Sequence, residues 1–264
     1  MNSSRLTFDW NSPPWQGGVV KYRLGLQPIQ LADWFDAPIS DDLFAHKKKL
    51  LDEKYEQVVQ VTEFSEPAQR ALASNFAQLD PQDFAYPDTI AHLGLQVADD
   101  LCLIESGGEQ RMLAASVCSP TYWDVRDKIG CSLVEIHGPV ATLEEKIGYK
   151  IARFINNAPV LQPFERVNWF IHADQDRFHL KPVSIQGEPE SWFVRSERET
   201  VCRFHEDFAL FTINPRFARL AEIHEYPEAT VDLIKSLSSF DQKEIDYFGG
   251  AKKHRLLLEY LRNP

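Results

Sequence analysis

Apolar residues in the first third of the chain recur at helical spacing. The positions that share this repeat, among charged residues, are Trp34, Phe35, Leu43, Phe44, Leu50, Leu51 and Tyr55. Steps of three and four are typical of helices that bury one face. A second helix is predicted to start at Ser65, where Ser-Glu-Pro combines an N-cap residue with an early proline, and to continue to about Gln78. This part of the chain is therefore predicted to be helical.

The pattern changes near Leu95. Two short apolar runs, 101–104 and 112–118, flank the glycine-containing segment Ser106–Glu109, which predicts a β-hairpin. Thr142–Glu145 has the form of a capping box and predicts a helix that continues to about Asn157. Three further strands are predicted over Val167–His172, Ser191–Phe204 and Phe208–Ile213, followed from Glu222 by two helices.

This order of elements is typical of an α+β fold with an antiparallel sheet. We divide the chain into an N-terminal helical extension (1–94), a core (95–221) and C-terminal helices (222–264), all within one compact unit. The short helices between the strands are expected to cover a concave face of the sheet. Such a face is a natural place for a small ligand.

The charge of the chain bears on its partners. Its 264 residues carry a formal net charge of −11, and the sequence pI is about 5.2. A polyanion is repelled by such a protein on average. The basic clusters 47–49 and 252–255 lie beside helical apolar residues, and we interpret them as solvated helix faces. No nucleic-acid partner is predicted.

The cysteines and the apolar segments bear on location. Cys102, Cys118, Cys131 and Cys202 form no CxxC pair and stand among apolar neighbours, which is typical of free thiols in a reducing compartment. The first residues contain no apolar run of signal-peptide length, and no window approaches the roughly 20 apolar residues of a membrane-spanning helix. We expect a cytoplasmic protein without a membrane partner.

Several common catalytic motifs are missing from the sequence. It contains no GxGxxG, Walker A, GxSxG or HExxH pattern. Rossmann-type nicotinamide binding, P-loop nucleotide hydrolysis and zinc proteolysis are therefore disfavoured. His172 and His179 lie in a polar, loop-rich stretch, and their spacing matches no common zinc pattern.

The segment from Trp192 to Phe204 has two different faces if it forms a strand, because alternate residues then point in opposite directions. One face is mostly charged and suits solvent or a salt-bridge ladder: Phe193, Arg195, Glu197, Glu199, Val201 and Arg203. On the other, largely apolar face, Arg198 is the residue of high charge. It either pairs with a buried carboxylate, such as Asp99 or Asp100, or faces a ligand cavity and stabilises negative charge there.

Ile136-His137-Gly138-Pro139 is the second candidate for chemistry. A histidine in an apolar setting is usually a satisfied core residue. Here Gly138 removes side-chain bulk after the histidine and Pro139 stiffens the chain, which would hold the imidazole in a fixed direction beside a flat ligand. The aromatic residues of 119–123 either wall a pocket or cap the sheet, and the sequence leaves both open.

These motifs occur in an order that resembles a known family. The segments are Val97–Leu101, Val117–Pro120 with Trp123, Gly130, Ile136–Val140, Arg166–Trp169 and Arg195–Thr200. Together they resemble the α subunit of haem-dependent oxidative N-demethylase, over about residues 95–217.

The resemblance implies a PAS-like fold in which an antiparallel sheet and short helices enclose haem b. It implies oxidation of a small secondary amine with O₂, with electrons from a partner reductase whose subunits carry flavin and a 2Fe-2S cluster. It makes His137 the proximal iron ligand and assigns Arg198, with Glu197 or Arg195, to O₂ and the amine. The other cofactor-binding residues that it implies are Gly138, Pro139, Trp123 and Arg166.

One departure from the family pattern concerns Glu199. The chain has Arg-Glu-Thr at 198–200 where Arg-Gln-Thr is usual, and strand alternation predicts Glu199 on the outer face, away from the cavity. The alternatives to an enzyme are a non-catalytic, gas-sensing haem module and an interaction protein that has lost haem. No output domain or coiled-coil linker is evident in the sequence, which favours the enzyme.

Overall fold

The computed structural model of the chain describes residues 7–75, 85–137 and 149–263. Within them lie eight α-helices: α1 (Asp41–Val58), α2 (Glu66–Ala73), α3 (Thr89–Gly94), α4 (Leu133–His137), α5 (Tyr149–Asn157), α6 (Pro227–Ser238), α7 (Gln242–Phe248) and α8 (Ala251–Arg262). None of the helices in these residues is both long and apolar enough to cross a bilayer.

One sheet of seven strands organises the described residues. The strands are β1 (Gln27–Pro28), β2 (Val59–Val61), β3 (Asp100–Glu105), β4 (Met112–Ser116), β5 (Pro163–His172), β6 (Phe193–Arg203) and β7 (Phe208–Arg219). Their order is β1-β5-β6-β7-β3-β4-β2, and each neighbouring pair is antiparallel. The predicted combination of an antiparallel sheet with several helices is confirmed, and so is the hairpin of β3 and β4.

The longest strands meet at the centre of the sheet. β6 pairs with β5 on one side and with β7 on the other, from Phe193↔Arg219 to Arg203↔Ala209. The sequence prediction ended β7 at Ile213, which is too short. Pairing with the whole length of β6 keeps β7 extended through Pro215 to Arg219, although a proline cannot donate to the ladder.

The C-terminal region contains three helices where the sequence predicted two. Asp241 caps α7 in a capping box with Glu244, which separates α7 from α6. Gly249 and Gly250 then adopt φ angles of 123° and 91°, a region that side chains disfavour, and so end α7 before α8 begins. The helix predicted from Ser65 to about Gln78 occupies Glu66–Ala73, and residues 76–78 lie outside the described part.

Buried apolar residues form three groups around the sheet. The first joins α1, α2 and α3 to β3 and β4, through residues such as Leu51, Leu72 and Leu101. The second joins the N-terminal Trp10 and Trp15 to Trp169 and to the C-terminal helices. The third lies under α5 and includes Ile104, Met112 and Val201. The boundaries at 94/95 and 221/222 stay predictions.

Candidate functional site

A cavity of about 620 Å³ lies between the third apolar group and the helices α4 and α5. This volume is within the range of about 300–1,000 Å³ that small-molecule and cofactor sites occupy. Strands β3 to β7 supply one wall, and α4, α5, residues 21–26 and residues 121–124 supply the others. A cavity thus lies where the sequence predicted a ligand site, between a sheet face and short helices.

Most of the cavity wall is apolar. The apolar lining side chains are Leu24, Leu26, Cys102, Ile104, Met112, Trp123, Leu133, Ile136, Ile151, Phe154, Ile155, Phe170, Leu180, Val201, Phe211 and Ile213. Phe154 packs edge-on against Phe164, with ring centroids 4.7 Å apart, which holds α5 over β5. Lys128 Nζ donates to the carbonyl of Ile136 at 3.0 Å and so holds the end of α4 at the wall.

Charged side chains form the other end of the cavity. Glu197 and Glu199 of β6 both line it, although each is nearly buried. Arg166 Nε, on β5, donates to Glu199 Oε2 at 2.6 Å. Burial raises the pKa of the Glu199 carboxyl, and the Arg166 charge opposes that rise. The cavity therefore has an apolar body and an ionic end.

Lys21 places an amine beside these carboxylates. Its Nζ donates to Asn168 Oδ1 at 2.7 Å and lies 4.1 Å from the centroid of the Phe170 ring. Burial, together with the Arg166 charge, lowers the pKa of Lys21 to about 7, although Glu197 and Glu199 oppose the change. The amine of Lys21 is thus able to gain or lose a proton near neutral pH.

Arg195 lies behind the ionic end and is not among the lining residues. Its guanidinium is fully buried and donates from Nε to Glu197 Oε1 at 3.0 Å. It also donates to the carbonyls of Ser119, Asp176 and Arg177. Thr121 Oγ1 donates to the same carboxylate oxygen of Glu197. These contacts fix the orientation of Glu197 toward the cavity.

Arg198 points to the opposite face of the sheet. It is buried and donates from Nε to Glu165 at 3.0 Å, and its Nη1 lies 3.5 Å from Asp36 and 3.8 Å from Asp99. The interpretation in which Arg198 pairs with a buried carboxylate, with Asp99 as one candidate, agrees with this geometry. Asp100, the other candidate, lies 3.7 Å from Lys47 instead.

The alternation predicted for β6 is present, but the face that borders the cavity is the charged one. Glu197, Glu199 and Val201 border the cavity, whereas Cys202 packs with the first apolar group and Arg198 donates to the carbonyls of Asp33 and Trp34. The expectation that Glu199 lies on an outer face, away from the cavity, was therefore wrong. Strand spacing gives two faces but does not say which one borders empty space.

The remaining expected site residues fall into two groups. Trp123 and Arg166 line the cavity. His137 is the last residue of α4, one position after the lining residue Ile136, and nothing is described of its side chain. Gly138 and Pro139 lie outside the described residues.

Sequence reasoning missed the contribution of distant segments. Lys21 and Tyr22 come from the segment before β1, and Tyr247 comes from α7. The Tyr22 hydroxyl is buried and has no hydrogen-bond partner within the described part of the chain, and the Tyr22 ring lies 6.1 Å from that of Tyr247. The sequence carried no signal for this contribution, since no spacing links residue 21 to its partner Asn168 on β5.

Comparison with protein families gives a match. A model of the family described as "Haem-dependent oxidative N-demethylase, alpha subunit-like" matches residues 75–257, which is more than half of the chain. A search of curated proteins found no match.

Proposed function

We propose that this chain, which belongs to the haem-dependent oxidative N-demethylase alpha-subunit-like family, binds haem b in the cavity and presents a small secondary amine to it. The observation that carries the proposal is one cavity with a long apolar body and two carboxylates at one end. In this proposal the sheet and its helices form a PAS-like fold. O₂ is the oxidant, and a reductase partner with flavin and 2Fe-2S groups delivers the electrons.

The described walls fit a flat apolar macrocycle. Aliphatic and aromatic side chains from the sheet oppose others from α4 and α5 across the cavity. Of the residues that the structure describes, none of those lining the cavity is a histidine. Residues four apart share one face of a helix, so position 137 shares the face of the lining residue Leu133. His137 is therefore our choice for the iron ligand, and the haem would supply the redox chemistry.

The ionic end supports an amine as the substrate. A secondary amine is cationic near neutral pH, and a carboxylate in a partly desolvated site attracts a cation more strongly than it does in water. Glu197 is held by Arg195 and Thr121, so it offers a fixed acceptor for an ammonium N–H. Glu199 provides a second carboxylate on the same face of β6.

Lys21 completes the proposed substrate chemistry. An amine is oxidised more readily once its nitrogen has lost its proton, because the lone pair is then free. In its neutral form, Lys21 Nζ is able to accept that proton, and its pKa of about 7 makes the neutral form accessible. Arg198 lies on the opposite face of the sheet, and we propose that its ion pairs there hold β6 in position.

A haem titration tests the cofactor. The purified chain is expected to bind one haem with a Soret band, and His137→Ala is expected to lose the band or shift it to that of a different ligation. His205→Ala is the matched control, since His205 is exposed in the turn between β6 and β7. An unchanged spectrum and affinity in His137→Ala would remove His137 as the ligand, and a chain that takes up no haem would overturn the proposal.

A further inference from the structure

A cluster of three ligand-type side chains lies outside the cavity. His172 ends β5, and Asp174 and His179 follow in the next loop. One nitrogen or oxygen atom of each residue lies within 4.8 Å of those of the other two. The chain spacing hides this arrangement, because the loop folds back so that His179 meets the end of the strand.

The backbone holds the loop in this position. Thr121 and His179 form an isolated bridge, in which Tyr122 N–H donates to the carbonyl of His179 at 2.7 Å and His179 N–H donates to that of Pro120 at 3.2 Å. The Tyr122 ring stacks on His172, with an interplanar angle of 9°. These contacts hold the three side chains in a folded part of the protein.

His172 provides a second, independent observation. It is 2% exposed, yet among the residues that the structure describes neither Nδ1 nor Nε2 has a hydrogen-bond partner. A buried polar group without a partner costs about 1–3 kcal/mol, and a metal ion bound to one of the two nitrogens would offset part of this cost. Its ring meets that of His179 edge-on, at 61° and with centroids 5.6 Å apart, so the two imidazoles are in contact.

Two neighbouring cations act on His172. Arg195 is bound by Glu197 and by three backbone carbonyls, and Lys253 Nζ donates to the carbonyls of Ile171 and Phe248. Asp174 Oδ1 accepts from His179 Nε2 at 2.9 Å and supplies the negative charge of the cluster. That contact is one that a metal ion would replace.

We propose that His172, Asp174 and His179 bind a divalent metal ion of the zinc type. Two imidazoles and one carboxylate are a common ligand set for Zn²⁺, and they leave the fourth tetrahedral position to water. The ion would join the end of β5 to the loop that supplies two of the carbonyls around Arg195. It would therefore stabilise the wall of the cavity from behind, independently of any haem.

Zinc binding by the purified chain tests this proposal. After treatment with a chelator and dialysis, the wild-type protein is expected to rebind one Zn²⁺ per chain from added zinc, as measured by elemental analysis, and to compete with a chromophoric chelator. His172→Ala and Asp174→Asn are each expected to weaken binding by at least about 100-fold, since even the partners of metal ligands contribute about 10- to 100-fold. His205→Ala is the control and is expected to bind like the wild type.

Two variants are used so that a loss of zinc binding is distinguished from a loss of fold. Asp174 is partly exposed in a loop, so Asp174→Asn is expected to keep the wild-type circular dichroism even if His172→Ala does not. Zinc is also expected to raise the unfolding temperature of the wild type and not that of Asp174→Asn. No zinc bound by the wild type, or equal affinity in a folded Asp174→Asn variant, would overturn the proposal.

Discussion

The two faces of β6 carry different residues and have different surroundings. The network face (Arg198, Thr200 and Cys202) packs against α1 to α3 and the carbonyls before them, and its charge is enclosed by partners. The cavity face (Glu197, Glu199 and Val201) borders open space. Both faces bury ionised groups. The unfilled volume, and not the charge, distinguishes a site for chemistry from a structural ion-pair network.

The charged groups of the network face are already paired with one another, which makes them unsuited to bind a ligand. Arg198 has a carboxylate or a carbonyl within reach of each of its three nitrogens. Asp36 contacts both Arg198 and Arg216, and burial and Asp36 together raise the pKa of Asp99. Because these groups depend on one another, the removal of one leaves the others uncompensated.

The largest expected effect comes from breaking the network face. Arg198→Met leaves Asp36 and Asp99 buried without that cation, and we expect the free energy of unfolding to fall by about 3–5 kcal/mol. Without the guanidinium, the pKa of Asp99 rises further, so the folded state favours the protonated acid. The loss is therefore expected to be larger at pH 8 than at pH 5.

Urea unfolding at both pH values measures this effect. Arg203→Met, at the end of the same strand, serves as the control and is expected to cost less than about 1 kcal/mol. A loss below about 1 kcal/mol for Arg198→Met would show that the network face does not stabilise the sheet.

The next effect concerns the cavity face. Glu197→Gln keeps the shape of the side chain and removes its charge, so the buried Arg195 loses its carboxylate partner and the free energy of unfolding is expected to fall. In the folded variant, we expect amine binding to weaken by about 100-fold. Spectral titration of the haem-loaded protein with dimethylamine measures the binding. The control Glu206→Gln lies in the exposed turn after β6 and is expected to bind the amine normally. Equal affinity in both variants would contradict a substrate role for Glu197.

A smaller effect is expected from Lys21. Below its pKa of about 7, the Lys21 ammonium repels a cationic amine, and above that pKa the neutral side chain does not. Binding of dimethylamine is therefore expected to strengthen by about tenfold between pH 6 and pH 8. Lys21→Met should remove this dependence, whereas the exposed control Lys252→Met should keep it. A wild-type affinity that is flat with pH would count against Lys21.

Much of the fold follows from local sequence signals. Two short apolar runs around a glycine turn predicted the hairpin of β3 and β4, and alternation along β6 separated Arg198 from Glu197 and Glu199. Capping and proline signals located the start of α2 within one residue. These signals succeed because they depend on neighbouring residues alone.

The residues of the site are far apart in sequence and meet only in the folded chain. Lys21 reaches Asn168 across 147 positions of the chain, and the space next to Glu199 exists because α4 and α5 stand away from the sheet. His172 and His179 meet because a loop folds back onto residues 120–122. The period of apolar residues along the chain contains no information about such long-range contacts. For this reason the sequence predicted a cavity but placed Glu199 on the face of β6 that points away from it.

Filling the cavity tests the central claim most directly. Val201 lies on the cavity face with the aliphatic wall around it, and Val201→Phe adds a ring to space that haem would need. In a haem titration followed at the Soret band, we expect the wild type to bind one haem per chain and Val201→Phe to bind at least about tenfold more weakly while remaining folded. Haem bound by Val201→Phe with unchanged stoichiometry and affinity would contradict a cofactor site on this face of the sheet.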